Sequence, residues 1–230
     1  MLLSKVFTHL GSGEFSQLAL SDGLGNIVDA KKFRVINHIN LAVEELCKRF
    51  DIHHDLVTIQ QFEEIANYQL HTRYAQSNTE STEPIKYIID NVTPFVGNVL
   101  RITGLSDECG DTIPMNDTNN HWSYRTVNHD TIQVMRPDNE YAFMVTYRTK
   151  PMDIPVDADP DTTEVDIPDS FLTALLYYVA GRAFMPVMSG LGLSAHYMSE
   201  FENECTRIQT NNLTNTDDTT DTSFDAGGWV

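Results

Sequence analysis

Cysteine is scarce in this chain: Cys47, Cys109 and Cys205 are an odd number at wide spacing among 230 residues. That excludes a disulfide framework and a Cys-x-x-Cys metal site, and leaves thiols that are buried or idle. Positive charge is scarce too. Against 33 aspartates and glutamates stand 15 lysines and arginines, a formal net charge of -18. Such a surface cannot grip phosphates through a basic face and should repel nucleic acid. Long apolar runs are missing. Even FLTALLYYVAGRAFMPVM is interrupted by Gly181, Arg182 and Pro186, short of the roughly 18 residues that a spanning helix needs. In MLLSKVFTHLGSGEF, histidine and polar residues break the apolar patch before a signal-peptide core can form. The expectation is no membrane span and synthesis in the cytoplasm.

Signatures of catalysis are also lacking. The glycines of SDGLGNI and SGLGLSA have no following Gly-Lys-Ser/Thr and read as turns. Ser170 and Ser194 stand at expected helix starts as caps, with no Gly-x-Ser-x-Gly elbow around them. His53, His54 and Asp55 adjoin, but neighbouring histidines diverge on regular elements and no further ligand sits at metal spacing. Asp157, Asp159 and Asp161 mimic the start of a calcium loop. Thr162 replaces its turn glycine and Pro168 its bidentate glutamate, so the run reads as an acidic linker. Asn-x-Thr sequons at Asn91, Asn116 and Asn212 carry no weight without a secretory signal. The expected catalytic, cofactor and metal sets are therefore empty.

What is present is organised. Two helical segments are expected near the start. In the second, Asp29 is a candidate N-cap, and Val35, Ile36, Ile39, Val43, Leu46, Cys47 and Phe50 recur three or four apart. From Leu56 to about Asp166 the period changes. LVTIQQF, NYQLHTRY, VLRITGL, TIQVM and YAFMVTYR are β-branched and aromatic runs parted by turn formers, which predicts an antiparallel sheet or small sandwich. Helical period returns in IPDSFLTALLYYVAGRAF, with Phe171, Leu172, Leu175, Leu176, Val179, Ala180 and Ala183 on one face, and again in SAHYMSEFENECTRI. The predicted class is α+β: an α-helical bundle with an inserted antiparallel β region and an extended tail. Its parts are helices over 1–54, the insertion over 55–166, helices over 167–210 and the tail over 211–230.

Several phrases together resemble the head-to-tail adaptors of tailed bacteriophages, also called connector or head-completion proteins, of the short-tailed type. They are GEFSQLALSDGLGNIVDAKKFRVINHINLAVEELCKRFDI, DTIPMNDTNNHWSYRTVNHDTIQV, YAFMVTYRTKP and VDIPDSFLTALLYYVAGRAF. In the last, Ile167 replaces the leucine usual before the proline. The resemblance covers nearly the whole chain. It implies a structural virion protein, a homo-oligomeric ring, twelvefold, below the portal protein, joined to a nozzle or tube protein of the tail and continuing the DNA channel. The acidic charge suits a lumen that should not hold DNA.

The tail TNTDDTTDTSFDAGGWV is rich in Thr, Asn and Asp, which cannot offset an ordering cost of roughly 1 to 2 kcal/mol per residue, so it is expected to be unstructured in a monomer. Phe224, Gly227, Gly228, Trp229 and Val230 then form a candidate anchor for the portal or a neighbouring subunit, aromatic side chains being the usual source of interface energy. A frayed end without a role is the other reading of this segment. Other classes remain open for the chain: a carbohydrate-binding or hydrolytic virion module, with Trp122 and Tyr124 as a stacking platform, or an acidic interaction protein.

Overall fold

The computed structural model describes residues 1–16, 20–22, 24–120, 123–187 and 191–211. The chain divides into two compact units, a helical one formed by residues 1–52 and 153 onward, and a β unit over His53–Met152. The helical unit contains α1 (Leu3–Ser12), α2 (Lys32–Arg49), α3 (Leu172–Phe184) and α4 (Leu191–Thr210). Its centre is α3. Leu175, Val179 and Ala180 are fully buried, and Ala174, Leu176, Ala183 and Phe184 bury the flanks. A helix apolar on most sides must be surrounded, and α1, α2 and α4 all pack on α3. Where α2 ends, Phe50 meets Phe171 edge to face, with ring centroids 5.1 Å apart. Beside it, Arg49 forms a two-pronged ion pair with Glu202 of α4 and lies over the Phe201 ring.

Several local expectations resolve differently. Asp29 does not cap α2. It belongs to a short 3-10 turn, Asp29–Lys31, and pairs with Lys32. Ser194 lies inside α4, one turn past its start, and its buried hydroxyl donates to the Gly181 carbonyl of α3, tying the two helices together. Glu204 is buried on α4 beside Arg207.

The β unit contains β1 (His54–Gln60), β2 (Asn67–Gln69), β3 (Ile88–Ile89), β4 (Val99–Asp107), β5 (Arg125–Asn128), β6 (Thr131–Gln133) and β7 (Ala142–Thr149). These form two antiparallel sheets, ordered β3-β1-β7-β4 and β2-β6-β5. Alternation in β7 buries Phe143, Val145, Tyr147 and Thr149 on one face, the period of two that a half-covered strand requires. Ile59, Tyr68, Ile88 and Ile132 complete the core between the strands. The first and last strands of the unit are neighbours, paired from His54 with Arg148 to Gln60 with Ala142. Two tyrosines substitute for missing strand partners. The Tyr87 hydroxyl accepts from the Gln69 N–H and donates to its carbonyl, and Tyr68 does the same for Phe62.

The predicted insertion ran to residue 166, yet residues 153–166 group with the helices. Asn40 of α2 holds both backbone groups of Ile154, and the Leu3 and Ser4 N–H groups bond the carbonyls of Thr163 and Pro160. These bonds join residues more than a hundred positions apart, which no local pattern encodes.

Candidate interaction surfaces

The five tail residues expected to anchor a partner, Phe224, Gly227, Gly228, Trp229 and Val230, lie outside the described residues, as does Trp122. Tyr124 is described. It packs edge to face on Phe143, with ring centroids 5.2 Å apart, and its hydroxyl accepts from the Gln61 side chain. The adjacent His54 and Asp55 open β1, where the Tyr147 hydroxyl donates to the Asp55 carboxylate. Of the linker aspartates, Asp159 accepts from the Asp161 N–H and the Thr162 hydroxyl, a turn built from its own neighbours. Among the described residues no group of three or more His, Cys, Asp or Glu is placed to hold a metal ion. No described helix is long and apolar enough to cross a membrane.

Two surface features stand out instead, at opposite ends of the four-stranded sheet. At one end the chain leaves β3 and turns through residues 91–97. Val92 at the tip is 97% exposed, whereas Phe95 is buried and meets Tyr147 edge to face. The buried carboxylate of Asp90 braces this loop, accepting from the N–H and hydroxyl of Ser77 and from the Phe95 N–H. Burial pushes the Asp90 carboxyl up, and those three hydrogen bonds outweigh it, so its pKa lies below the ordinary aspartate value. Val92 at the loop tip therefore adds nothing to the core that Phe95 joins.

At the other end lies an open cavity of about 490 Å³. Ile113, Tyr124, Met135, Pro137, Tyr141 and Ala142 supply its apolar walls, with Gln61, Asp107, Arg136 and Asp138 as polar groups. Gln61 fixes its shape, donating to Tyr124 and accepting from the Asp138 N–H. Met135 and Tyr141 are more than half exposed. Sequence reading missed both features. NVTPFVG carries turn residues but no sign that Asp90 would brace it, and the cavity gathers side chains from four separate stretches of sequence.

What these observations define is an α+β protein in which a helical unit is interrupted in sequence by a two-sheet β unit that carries an exposed loop and an open cavity. The chain belongs to the SU10 adaptor protein family, whose profile matches residues 13–223. That span contains α2, α3, α4 and the entire β unit. The protein is accordingly a phage structural adaptor and a component of the virion. No curated protein matches the chain.

Proposed function

We propose that this adaptor forms a homo-oligomeric ring, a dodecamer, below the portal protein, joins the capsid to the nozzle or tube protein of the tail, and continues the DNA channel without catalysing a reaction. The observation that carries this reading is the family match over residues 13–223, which takes in both units rather than one module. The net charge of -18 supports it. Duplex DNA carries about one negative charge per 1.7 Å, and a basic lumen would retain it through counterion release, whereas an acidic one lets it pass. In this reading the segment after α4 is a tether. Its polar part supplies reach, about 3.3 to 3.6 Å per extended residue, and Phe224, Trp229 and Val230, with Gly227 and Gly228 allowing close approach, grip the portal.

The test is electron microscopy of the purified chain mixed with its portal. A ring of this chain on the portal's tail-facing end is expected. Binding as scattered single copies, or no binding, would overturn the reading.

A further inference from the structure

The helical unit has eight lysines and arginines against twenty aspartates and glutamates. Five of the eight are paired: Lys5 with Asp169, Lys32 with Asp29, Lys48 with Glu44, Arg207 with Glu204, and Arg49 with both Glu45 and Glu202. Among the described residues, Lys31, Arg34 and Arg182 have no carboxylate partner. They are not scattered. Lys31, the N-cap of α2, is followed by Arg34 and His38 at spacings of three and four, which places them on one face of the helix. Arg182 of α3 lies close enough to act on His38 as well. Burial and the charges of Arg182 and Arg34 hold the His38 imidazole below its ordinary pKa, and its Nδ1 is buried without a hydrogen-bond partner.

No described carboxylate acts on His38 in return. On the neighbouring elements Asp29 holds Lys32, Glu202 holds Arg49, and Glu14 acts on Tyr197. Asn40, which holds the linker at Ile154, is two residues on from His38 and so faces away from it. Cations gathered without a counter-charge repel one another and add to the positive end of the α2 dipole. An anion seated among them relieves both.

The chain carries such an anion. Residues 212–230 lie outside the described residues, and in sequence they contain Asp217, Asp218, Asp221 and Asp225 but no lysine or arginine. α2 and α3 run antiparallel, since Phe50 meets Phe171 at one end and Arg182 acts on His38 towards the other. α4 begins near the cluster, where Ser194 bonds Gly181, passes Arg49 at Glu202 and ends at Thr210. At 1.5 Å per helical residue, Thr210 stands about 35 Å along the unit from the level of Arg34. Extended chain covers about 3.3 to 3.6 Å per residue, so Asp221 spans that distance when fully drawn out and Asp225 spans it with slack.

We propose that the acidic run 217–225 lies back along its own helical unit, with Asp221 and Asp225 seated among Arg34, His38 and Arg182. Tethering raises the effective concentration of these carboxylates to about the millimolar range. Ion pairs too weak to hold a free peptide then hold this one. The contact needs neither the ring nor the portal, and it leaves Trp229 and Val230 beyond it to grip one.

The experiment follows the His38 imidazole of the full chain by NMR through a pH titration, its signals assigned with His38→Gln. Melting temperature is the check on folding. The measurement is made at about 0.1 M salt, where an exposed charge acts over only about 10 Å. Carboxylates beside His38 favour its charged form, so the wild type should titrate at higher pH than the double variant Asp221→Asn, Asp225→Asn. Truncation after Thr210 should match that variant. The pair Asp217→Asn, Asp218→Asn, which falls short of the cluster, should leave His38 nearly unchanged. The difference between wild type and double variant should vanish at about 1 M sodium chloride. Identical titrations in wild type and double variant overturn the proposal, and so do equal effects from the two aspartate pairs. A difference that grows with chain concentration brings the segment from a second copy and overturns the same-copy contact. A His38 that ignores the aspartates but shifts on addition of a short DNA duplex makes the cluster a phosphate contact, which overturns it too.

Discussion

Asp90 is a carboxylate whose loss should be felt twice. Because its pKa is depressed in the folded protein, the stability it contributes is present above the unfolded value, near 3.9, and is lost as pH falls through the lower folded value. Denaturant titrations between pH 5 and pH 2 should show this dependence in the wild type and less of it in Asp90→Asn. At neutral pH the same variant should lose about 1 to 3 kcal/mol, because an amide cannot accept at both positions and sets a donor against a Ser77 donor. Equal stability of variant and wild type at pH 7 would show that the loop needs no such brace. Gly11 has no room for a side chain. A Cβ there would lie 2.2 Å from the Gly25 carbonyl oxygen, and Gly25 itself has φ +93°. Backbone cannot swing aside as a flexible side chain can, so Gly11→Ala should cost on the order of 1 to 3 kcal/mol by thermal or chemical unfolding. A variant that melts normally would mean that the 20–28 stretch yields freely.

At the scale of elements, α3 explains why the helical unit was legible. Its apolar positions recur at helical spacing over thirteen residues, a signal that survives any choice of neighbour. Leu175 is fully buried, so Leu175→Asp would place an unpaired charge inside, costing several kcal/mol against a total of about 5 to 15 kcal/mol. Circular dichroism should show a variant that fails to fold cooperatively, and a soluble, sharply melting Leu175→Asp would place the wrong face inward. The strands were legible in proportion to their burial. β1, β4 and β7 alternate or bury apolar residues, whereas β5 is the polar, largely exposed stretch RTVN, and β3 has two residues. Nothing in RTVN distinguishes a strand from a loop until β6 pairs with it. Ser194 was misread for the same reason: its role depends on Gly181, thirteen positions away. The candidate anchor around Trp229 was legible only as composition, an aromatic beyond a polar run. The Val92 loop and the opposite cavity depend on distant partners, and composition is silent about those.

For the whole molecule, the tether makes a prediction that separates docking from folding. Trp229→Ala should weaken binding to the portal by roughly 2 kcal/mol or more and leave the melting temperature of the free chain nearly unchanged, since the grip and the core are different sets of contacts. Truncation after Thr210 should weaken binding further. Calorimetric titration against the portal measures this, and a truncated chain that binds normally would remove the tether from the reading. The pairing of β1 with β7 has a consequence in time. The helical unit must bring α3 against α2 across an intervening sequence of more than a hundred residues, a closure whose entropic cost grows with the logarithm of loop length. Once the β unit has formed, its paired first and last strands close most of that sequence, and the effective loop shrinks to roughly twenty-six residues, 50–53 and 150–171. By that law the cost falls by about 1.4 kcal/mol. Amide protection in β1 and β7 should therefore appear before protection in α3 during refolding, and a β unit that folds first acts as the clasp on which the helices nucleate.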